Sequence, residues 1–497
     1  MNVTAWSDGL EVTGGGTGVV SHAGLGLVRR LADKAGLTGG LSRALWSGRV
    51  LGHDRGRVLA DIACVIADGA RAISDFRVLA DQKDAFGQVA SVPTAYRTLE
   101  EIARGGDRTA RKLTAAVNAA RRYAWAQVVA RHGQLPGVRV ADKVLAGVTC
   151  IRLDATVTFA HSDKELAAGN FKGFGHYPLN AYCDNTGEPL AWMLRKGSAG
   201  SNTAADHVTV TDAAIAALPP AYRRSLMVTV DGAGFSHKFL EHLDALAARR
   251  GHTLIYSCGW ELGEREKAAL RLVPEGGWEI ALDPRGEVRE RRADGACGNS
   301  GCGHRACWVE EAHVTELTGL LRTGPSGDQL AGWPATMRLF ARRERPHPGA
   351  KLSLFEHEDG YRYQLWVTNL PEATKGWRGK NAYIDAAHRV HARVEDAIRT
   401  GKQTGIGRFP SHEFAINQAW MTAAMTAQIL LCWLKLIALD DDLATAEPKT
   451  LRYRVLNAAA RLVRGGRRRR WKIAANWPWA EAITRAWQRI TVLPNPG

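Results

Sequence analysis

The chain has 497 residues, enough for about two to four structural units and for large buried cores. Lys and Arg number 66 against 50 Asp and Glu, a formal charge of +16. That excess suits a polyanionic partner, nucleic acid first, with general surface basicity as the plain alternative.

Residues 1–140 read as helical. Apolar residues recur at spacings of three and four over 23–35, 57–70 and 108–131. Between the last two, Ser91 precedes a run, 91–99, that carries Arg97 and has the pattern of the second helix of a helix-turn-helix. An ordinary helical domain fits equally well. The pattern changes at 147. Residues 147–161, GVTCIRLDATVTFAH, predict a strand delivering a single acid, Asp154. Two more strands are expected at 176–183 and 189–194, joined by the turn Asp184-Asn185-Thr186-Gly187. Then come a loop at 197–202, a helix at 203–217 and a strand at 226–230 that ends at Asp231. A helix at 236–250 and a strand at 252–257 follow. The order β-β-β-α-β-α-β implies an antiparallel meander followed by right-handed helical crossovers.

Residues 259–380 break this rhythm. A charged helix at 263–272 and strand-like pieces at 337–343 and 361–369 stand among Gly and Pro, which reads as a mostly β insertion. Helical pattern resumes at Asp385, the expected N-cap, and runs to Lys402. The most apolar run, 415–439, contains Asn417, Gln418, Gln428 and Lys435, so it reads as a buried helix and not a membrane span. The rest reads as helical, with a basic patch at 464–472 and a final helix from near Pro478. The units drawn this way are 1–140 (helical, DNA-binding), 147–258 and 381–410 (two parts of an α/β core), 259–380 (β-rich insertion) and 411–497 (helical and basic). The polar, Gly-rich start shows no signal peptide, and eight mostly scattered Cys fit a reduced, cytoplasmic setting.

Three acids stand out. Asp154 and Asp231 sit at strands that this order allows to be neighbours, and carboxylates at strand ends face the crevice where α/β proteins bind ligands. Glu395 lies on the helical run, where residues seven apart share a face. His388, Glu395 and Lys402 are then expected on one stripe, with His391 and Arg399 beside it. Singly, each acid has an ordinary reading: a turn acid, a helix cap, and a solvated partner of Arg399. Together they suit divalent cations, which prefer oxygen donors and relieve the repulsion between neighbouring carboxylates.

At these residues the chain resembles the DDE transposases of bacterial insertion sequences. That resemblance implies an RNase H-like catalytic core, a mixed five-stranded sheet with flanking helices, interrupted by a β-rich insertion. Asp154, Asp231 and Glu395 match its three acids. One branch carries a signature of Tyr, two residues, Arg, three residues, Glu, six residues, Lys. Glu395 and Lys402 match its last two members, while His388 and His391 stand in place of the Tyr and Arg. The phrases GSAGSNTAADH (197–207) and RTGKQTGIGRFP (399–410) look like the thirteen-eighty insertion-sequence family. The implied activity is cleavage at the ends of a mobile element and joining of a 3′-hydroxyl to target DNA. The three acids would hold two Mg²⁺ or Mn²⁺ ions. Lys402 and Arg399 would contact DNA phosphate, and His388 and His391 would orient a leaving group or bind phosphate, with plain surface histidines as the alternative. The partners implied are duplex DNA, as terminal inverted repeats and as target, and a second copy of the chain on that DNA.

Two further clusters carry chemistry. Cys297, Cys302, His304 and Cys307 are candidate ligands of a structural Zn²⁺; a loop with free thiols is the alternative. Arg467, Arg468, Arg469 and Arg470, followed by Trp471, are candidates for holding DNA backbone. Gly14–Gly18 lacks the Gly-Lys-Ser/Thr ending of a phosphate loop, so ATP is not expected.

Overall fold

The computed structural model describes residue 11 and residues 13–170, 173–200, 203–288, 312–346, 349–371, 380–466 and 468–496. A short strand, β1 (Val19–Val20), leads into helices α1 (Leu25–Lys34), α2 (Leu37–Ala44), α3 (Arg55–Ala67), α4 (Val92–Arg104) and α5 (Gly106–His132). The predicted spans 23–35, 57–70 and 108–131 fall on α1, α3 and α5. The Asp54 side chain accepts from the Arg57 N–H at 2.7 Å and caps α3, an interaction worth about 1 kcal/mol. Ser91 is extended just before α4, and Pro93 sits in the first turn, where a missing N–H is harmless. The buried face of α4 is Thr94, Ala95, Thr98, Leu99 and Ile102. Arg97 is exposed and donates back to the Pro93 carbonyl at 3.2 Å.

The α/β part is built on β2 (Thr149–Ala155), β3 (Leu179–Cys183), β4 (Pro189–Met193), α6 (Ala204–Ala217), β5 (Ser225–Val230), α7 (His237–Ala247) and β6 (Thr253–Trp260). This is the predicted order. β5 lies between β2 and β6, parallel to both, while β2, β3 and β4 form the antiparallel meander. The expected strand at 176–183 is broken at Tyr177-Pro178. Pro178 has no N–H for the ladder, and Gly173–His176 pairs instead with Thr158–Phe159.

The insertion is not a separate β unit. After α8 (Glu264–Arg271), strands β7 (Glu279–Ile280), β8 (Ala312–Glu316), β9 (Arg338–Glu344) and β10 (Arg362–Thr368) extend the same sheet. β10 joins antiparallel to β6, giving nine strands in the order β7-β8-β9-β10-β6-β5-β2-β3-β4.

Side chains alternate across a sheet, so each face has its own partner layer. Ile151, Leu153, Val228 and Val230 pack with Val210, Ala214, Phe239, Leu240 and Leu243 of α6 and α7. Arg152, Thr229 and Ser257 form an in-register row on the opposite face. That face is crossed by α9 (Asn381–Arg389) and α10 (Val394–Gly401), separated by a 3₁₀ turn at Val390–Arg393. Asp385 is therefore not the N-cap of a continuous helix. It is buried inside α9, where it accepts from Arg342 at 2.9 Å and Arg389 at 2.8 Å.

The long helix α11 (Phe414–Ala438) is apolar enough to cross a membrane by length and composition, yet 83% of its most apolar window is buried inside the protein. It shares one core with α1–α5 and with α12 (Ala480–Val492), so the two helical regions, read separately in the sequence, pack as one body. Glu188, beside the turn between β3 and β4, ties this body to the sheet. Its buried carboxylate accepts from Arg121 at 3.1 Å, Thr186 at 3.0 Å and Trp433 at 3.0 Å, and from the Trp125 indole. The expected helical character fails at 460–473. β11 (Ala460–Gly465) and β12 (Arg468–Ile473) form a hairpin that pairs with β1, because Ala460/Leu462 and Trp471/Ile473 repeat with period two.

Candidate active site

Val230 stands opposite Leu153, so the next residue on each chain brings Asp231, at the end of β5, beside Asp154 of β2. Asp154 follows Arg152 by two residues and Asp231 follows Thr229 by two. Asp154, inside β2, thus shares the face that α9 and α10 cross, and Asp231 follows directly on the last residue of β5. The Tyr177 phenol feels both charges. Burial first, then the charges of Asp231 and Asp154, raise it above its ordinary range, with Arg195 opposing. Gly259 of β6 makes this packing feasible. A Cβ there would stand 2.5 Å from the Gly232 nitrogen and 3.0 Å from the Asp231 carbonyl carbon.

Glu395 arrives from the other side, in the first turn of α10. Asp154 and Glu395, far apart in sequence, line one cleft of about 700 Å³. Arg71, Arg399, Lys402 and Arg408 line it too, with Thr156, His161 and Gln403. The cationic wall is positioned by a bend at Lys402–Ile406, where Gly405 adopts φ +92°. Gly405 packs so closely on α11 that a Cβ would lie 2.8 Å from Ala424 and from Ile66, and its carbonyl accepts from the Trp420 indole at 2.8 Å. Gln428 of α11 donates to the Ala397 carbonyl at 3.0 Å and holds α10 itself. Arg399 also pairs with Asp396 at 3.0 Å and Glu447 at 2.8 Å.

Of the expected stripe, Glu395, Lys402 and Arg399 meet at the cleft, whereas His388 and His391 do not join them, because the 3₁₀ turn rotates α9 out of phase with α10. His388 and His391 face the sheet instead. The His388 Nδ1 is 2.8 Å from the Ser257 hydroxyl, and its ring stacks on Trp366 with centroids 5.0 Å apart. The His391 Nδ1 is 2.9 Å from the Thr229 hydroxyl, which also accepts from Arg152 at 3.0 Å. Arg152 continues to Asp184 at 2.5 Å, and Asp184 reaches Arg393 at 3.4 Å. Burial lowers both imidazoles to about 3, helped by Arg389, Arg152 and Arg342 at His388 and by Arg152 and His388 at His391. They are neutral groups that seat the helix over the acids, and neither lines the cleft.

Asp231 lies beside Asp154 but does not itself line the cleft. Among the described residues, no group of three or more His, Cys, Asp or Glu is drawn close enough to hold a metal ion as the side chains stand. Arg97 and the hairpin residues Arg468, Arg469 and Arg470 lie away from the cleft lining. Cys297, Cys302, His304, Cys307 and Arg467 lie outside the described residues. Sequence reasoning missed Arg71, Arg408 and His161. Arg408 and His161 fall within stretches already singled out, but Arg71, in the loop after α3, carries no local signal.

The fold and cleft define an α/β protein with acids on adjacent parallel strands and on a helix laid across them, beside a wall of cations. The chain belongs to the family described as Transposase DDE domain group 1, whose model matches residues 6–261 and 296–495, a span that includes Asp154, Asp231 and Glu395. No curated protein matches the sequence. Among solved structures, the chain is similar to a piggyBac transposase in a synaptic complex with hairpin DNA, determined by cryo-EM. The identity is 10%, the TM-score is 0.38, and 87% of this chain and 80% of that chain are covered. A likeness that slight carries no argument about fold or chemistry.

Proposed function

We propose that the protein is a transposase that cuts the ends of an insertion sequence and joins the freed 3′-hydroxyl to target DNA. The observation that carries this reading is the meeting of Asp154 and Glu395 on one cation-lined cleft, with Asp231 in register beside Asp154. The strand order β4-β3-β2-β5-β6, with helices on both faces, supports an RNase H-like core. The three acids offer only carboxylate oxygens, the donors that Mg²⁺ and Mn²⁺ take, so the donor set fits two hard ions. Asp154, Asp231 and Glu395 are the residues that would hold them. When bound, such ions activate a water or hydroxyl and stabilise the leaving oxygen of a phosphodiester.

The chain's own contribution is positional. Lys402, Arg399 and Arg408 hold DNA phosphate at the cleft, and Arg71 closes it from the helical body. The Arg152–Thr229–His391 and Ser257–His388 contacts fix the height of α10 above the sheet, and so the reach of Glu395. Two element ends must be paired, which calls for a homodimer on DNA. Strand transfer conserves phosphodiester energy, so ATP has no role, and the setting is the cytoplasm.

The test uses duplex DNA carrying an element end. Asp154→Ala or Asp231→Ala should abolish cleavage while DNA binding persists, and a pre-cut end should be joined to target DNA by the wild type. Cleavage surviving both substitutions would falsify the catalytic assignment. Cleavage without joining would make the protein a nuclease, and binding without cleavage in the wild type a non-catalytic relative.

A further inference from the structure

The Arg-rich hairpin has two unlike faces. Register places Ala460, Leu462 and Arg464 of β11 on one side with Ile473, Trp471 and Arg469 of β12. That side is anchored. Ala460 and Leu462 are buried with Val20 and Ala23. The Trp471 ring lies edge-on to Phe86, centroids 5.6 Å apart, and so close to Gly26 that a Cβ there would be 2.4 Å away. Arg464 pairs with Asp84 at 3.0 Å, and Arg469 donates to the Asp84 carbonyl.

The other side carries Arg461, Arg468, Arg470 and Lys472, all exposed. Arg461 stands directly opposite Lys472, a like-charge cross-strand pair that destabilises a hairpin. Among the described residues, no carboxylate pairs with any of the four. Neighbouring members of this set thus leave the backbone about 5–7 Å apart on a ribbon whose back is locked to the core. Side chains this crowded and uncompensated gain most from a ligand of closely spaced negative charge. Duplex DNA offers about one charge per 1.7 Å of axis, and its major groove of about 12 Å admits a two-stranded ribbon.

We propose that this outward face, Arg461, Arg468, Arg470 and Lys472, docks the phosphate backbone of duplex DNA outside the active cleft, whereas Arg464 and Arg469 serve the fold. The inference rests on the DNA-acting reading above and divides the arginine run into two roles.

The experiment measures binding of the full chain to fluorescent duplex DNA by anisotropy across a KCl series. Changing Arg461, Arg468, Arg470 and Lys472 together to Gln should lower the slope of log K against log[KCl] by about 3 to 4, close to 0.9 per lost phosphate contact. Arg464→Gln with Arg469→Gln should leave the slope unchanged. Thermal unfolding of the fourfold variant should be at or above that of the wild type, because a like-charge pair is removed, whereas a structural role for the face would lower it. A fourfold variant with the wild-type slope, or a control pair that lowers it equally, overturns the face assignment. So does loss of binding to phosphatidylserine vesicles with DNA binding intact, which would give the face to a membrane surface. A wild type that binds no duplex at all sinks the DNA reading itself, a result distinct from these.

Discussion

Gly259→Ala is the sharpest probe of how Asp231 is placed. An added Cβ would meet the Gly232 nitrogen at 2.5 Å, the Gly232 Cα at 2.9 Å and the Asp231 carbonyl carbon at 3.0 Å. Ordinary contacts lie at about 3.5–4.0 Å. All three atoms are main chain, so no rotamer change relieves the overlap, and the end of β5 must retreat by about 0.5–1 Å. Overpacking of this kind costs about 1–3 kcal/mol of stability. The larger effect is on chemistry, since a displacement of about 1 Å in an aligned site costs on the order of 100-fold in rate. The assay is single-turnover cleavage of an end-bearing duplex with Mg²⁺, alongside DNA binding and thermal unfolding. Cleavage should fall about 100-fold with binding retained. A folded Gly259→Ala protein that cuts at the wild-type rate would refute the placement of Asp231 in the working site.

Three other outcomes are expected. Glu188→Ala leaves the fully buried Arg121 without its carboxylate, so urea unfolding should show a loss of about 3–5 kcal/mol; a loss under 1 kcal/mol would mean the hub adds nothing. His388 and His391 are lowered to about 3 from an ordinary 6.5. The unfolded chain therefore takes up protons first, and stability falls as pH drops from about 6.5 towards 3. Each should account for about 1 kcal/mol lost between pH 7 and pH 5.5. Replacing both by Gln should flatten urea midpoints over that interval, and an unchanged profile would contradict the neutral, sheet-facing assignment. Lys402→Ala should reduce the salt slope of DNA binding by about 1 without favouring any sequence; a change confined to one sequence would show base reading instead.

Much of the sheet was legible because β2, β5 and β6 are short, β-branched runs and α6 and α7 keep helical spacing. The strand order allowed Asp154 and Asp231 to be neighbours, and the parallel pairing of β5 on β2 makes them so. What failed did so for tertiary reasons. The phase between His388 and Glu395 depends on a 3₁₀ turn that His391 fixes by bonding to Thr229, a contact invisible in local sequence. Asp385 looked like a cap because Asp favours that position, yet Arg342 on β9 supplies the charge that keeps it buried in a helix. The arginine hairpin read as helix because Arg tolerates helices well and its apolar residues are few. That the insertion's strands extend the core sheet was not legible, because the pairing of β10 on β6 joins segments about a hundred residues apart, and sequence periodicity carries no record of such partners.

The packing of α1 against α12 sets a condition on synthesis. Lys34 donates to the Leu493 carbonyl at 2.9 Å, and Ile483, Ala486 and Ile490 complete the layer that covers the first helices. α1 therefore waits during synthesis for α12, which is made much later. Loss of α12 would uncover this seam and leave apolar surface open to proteases.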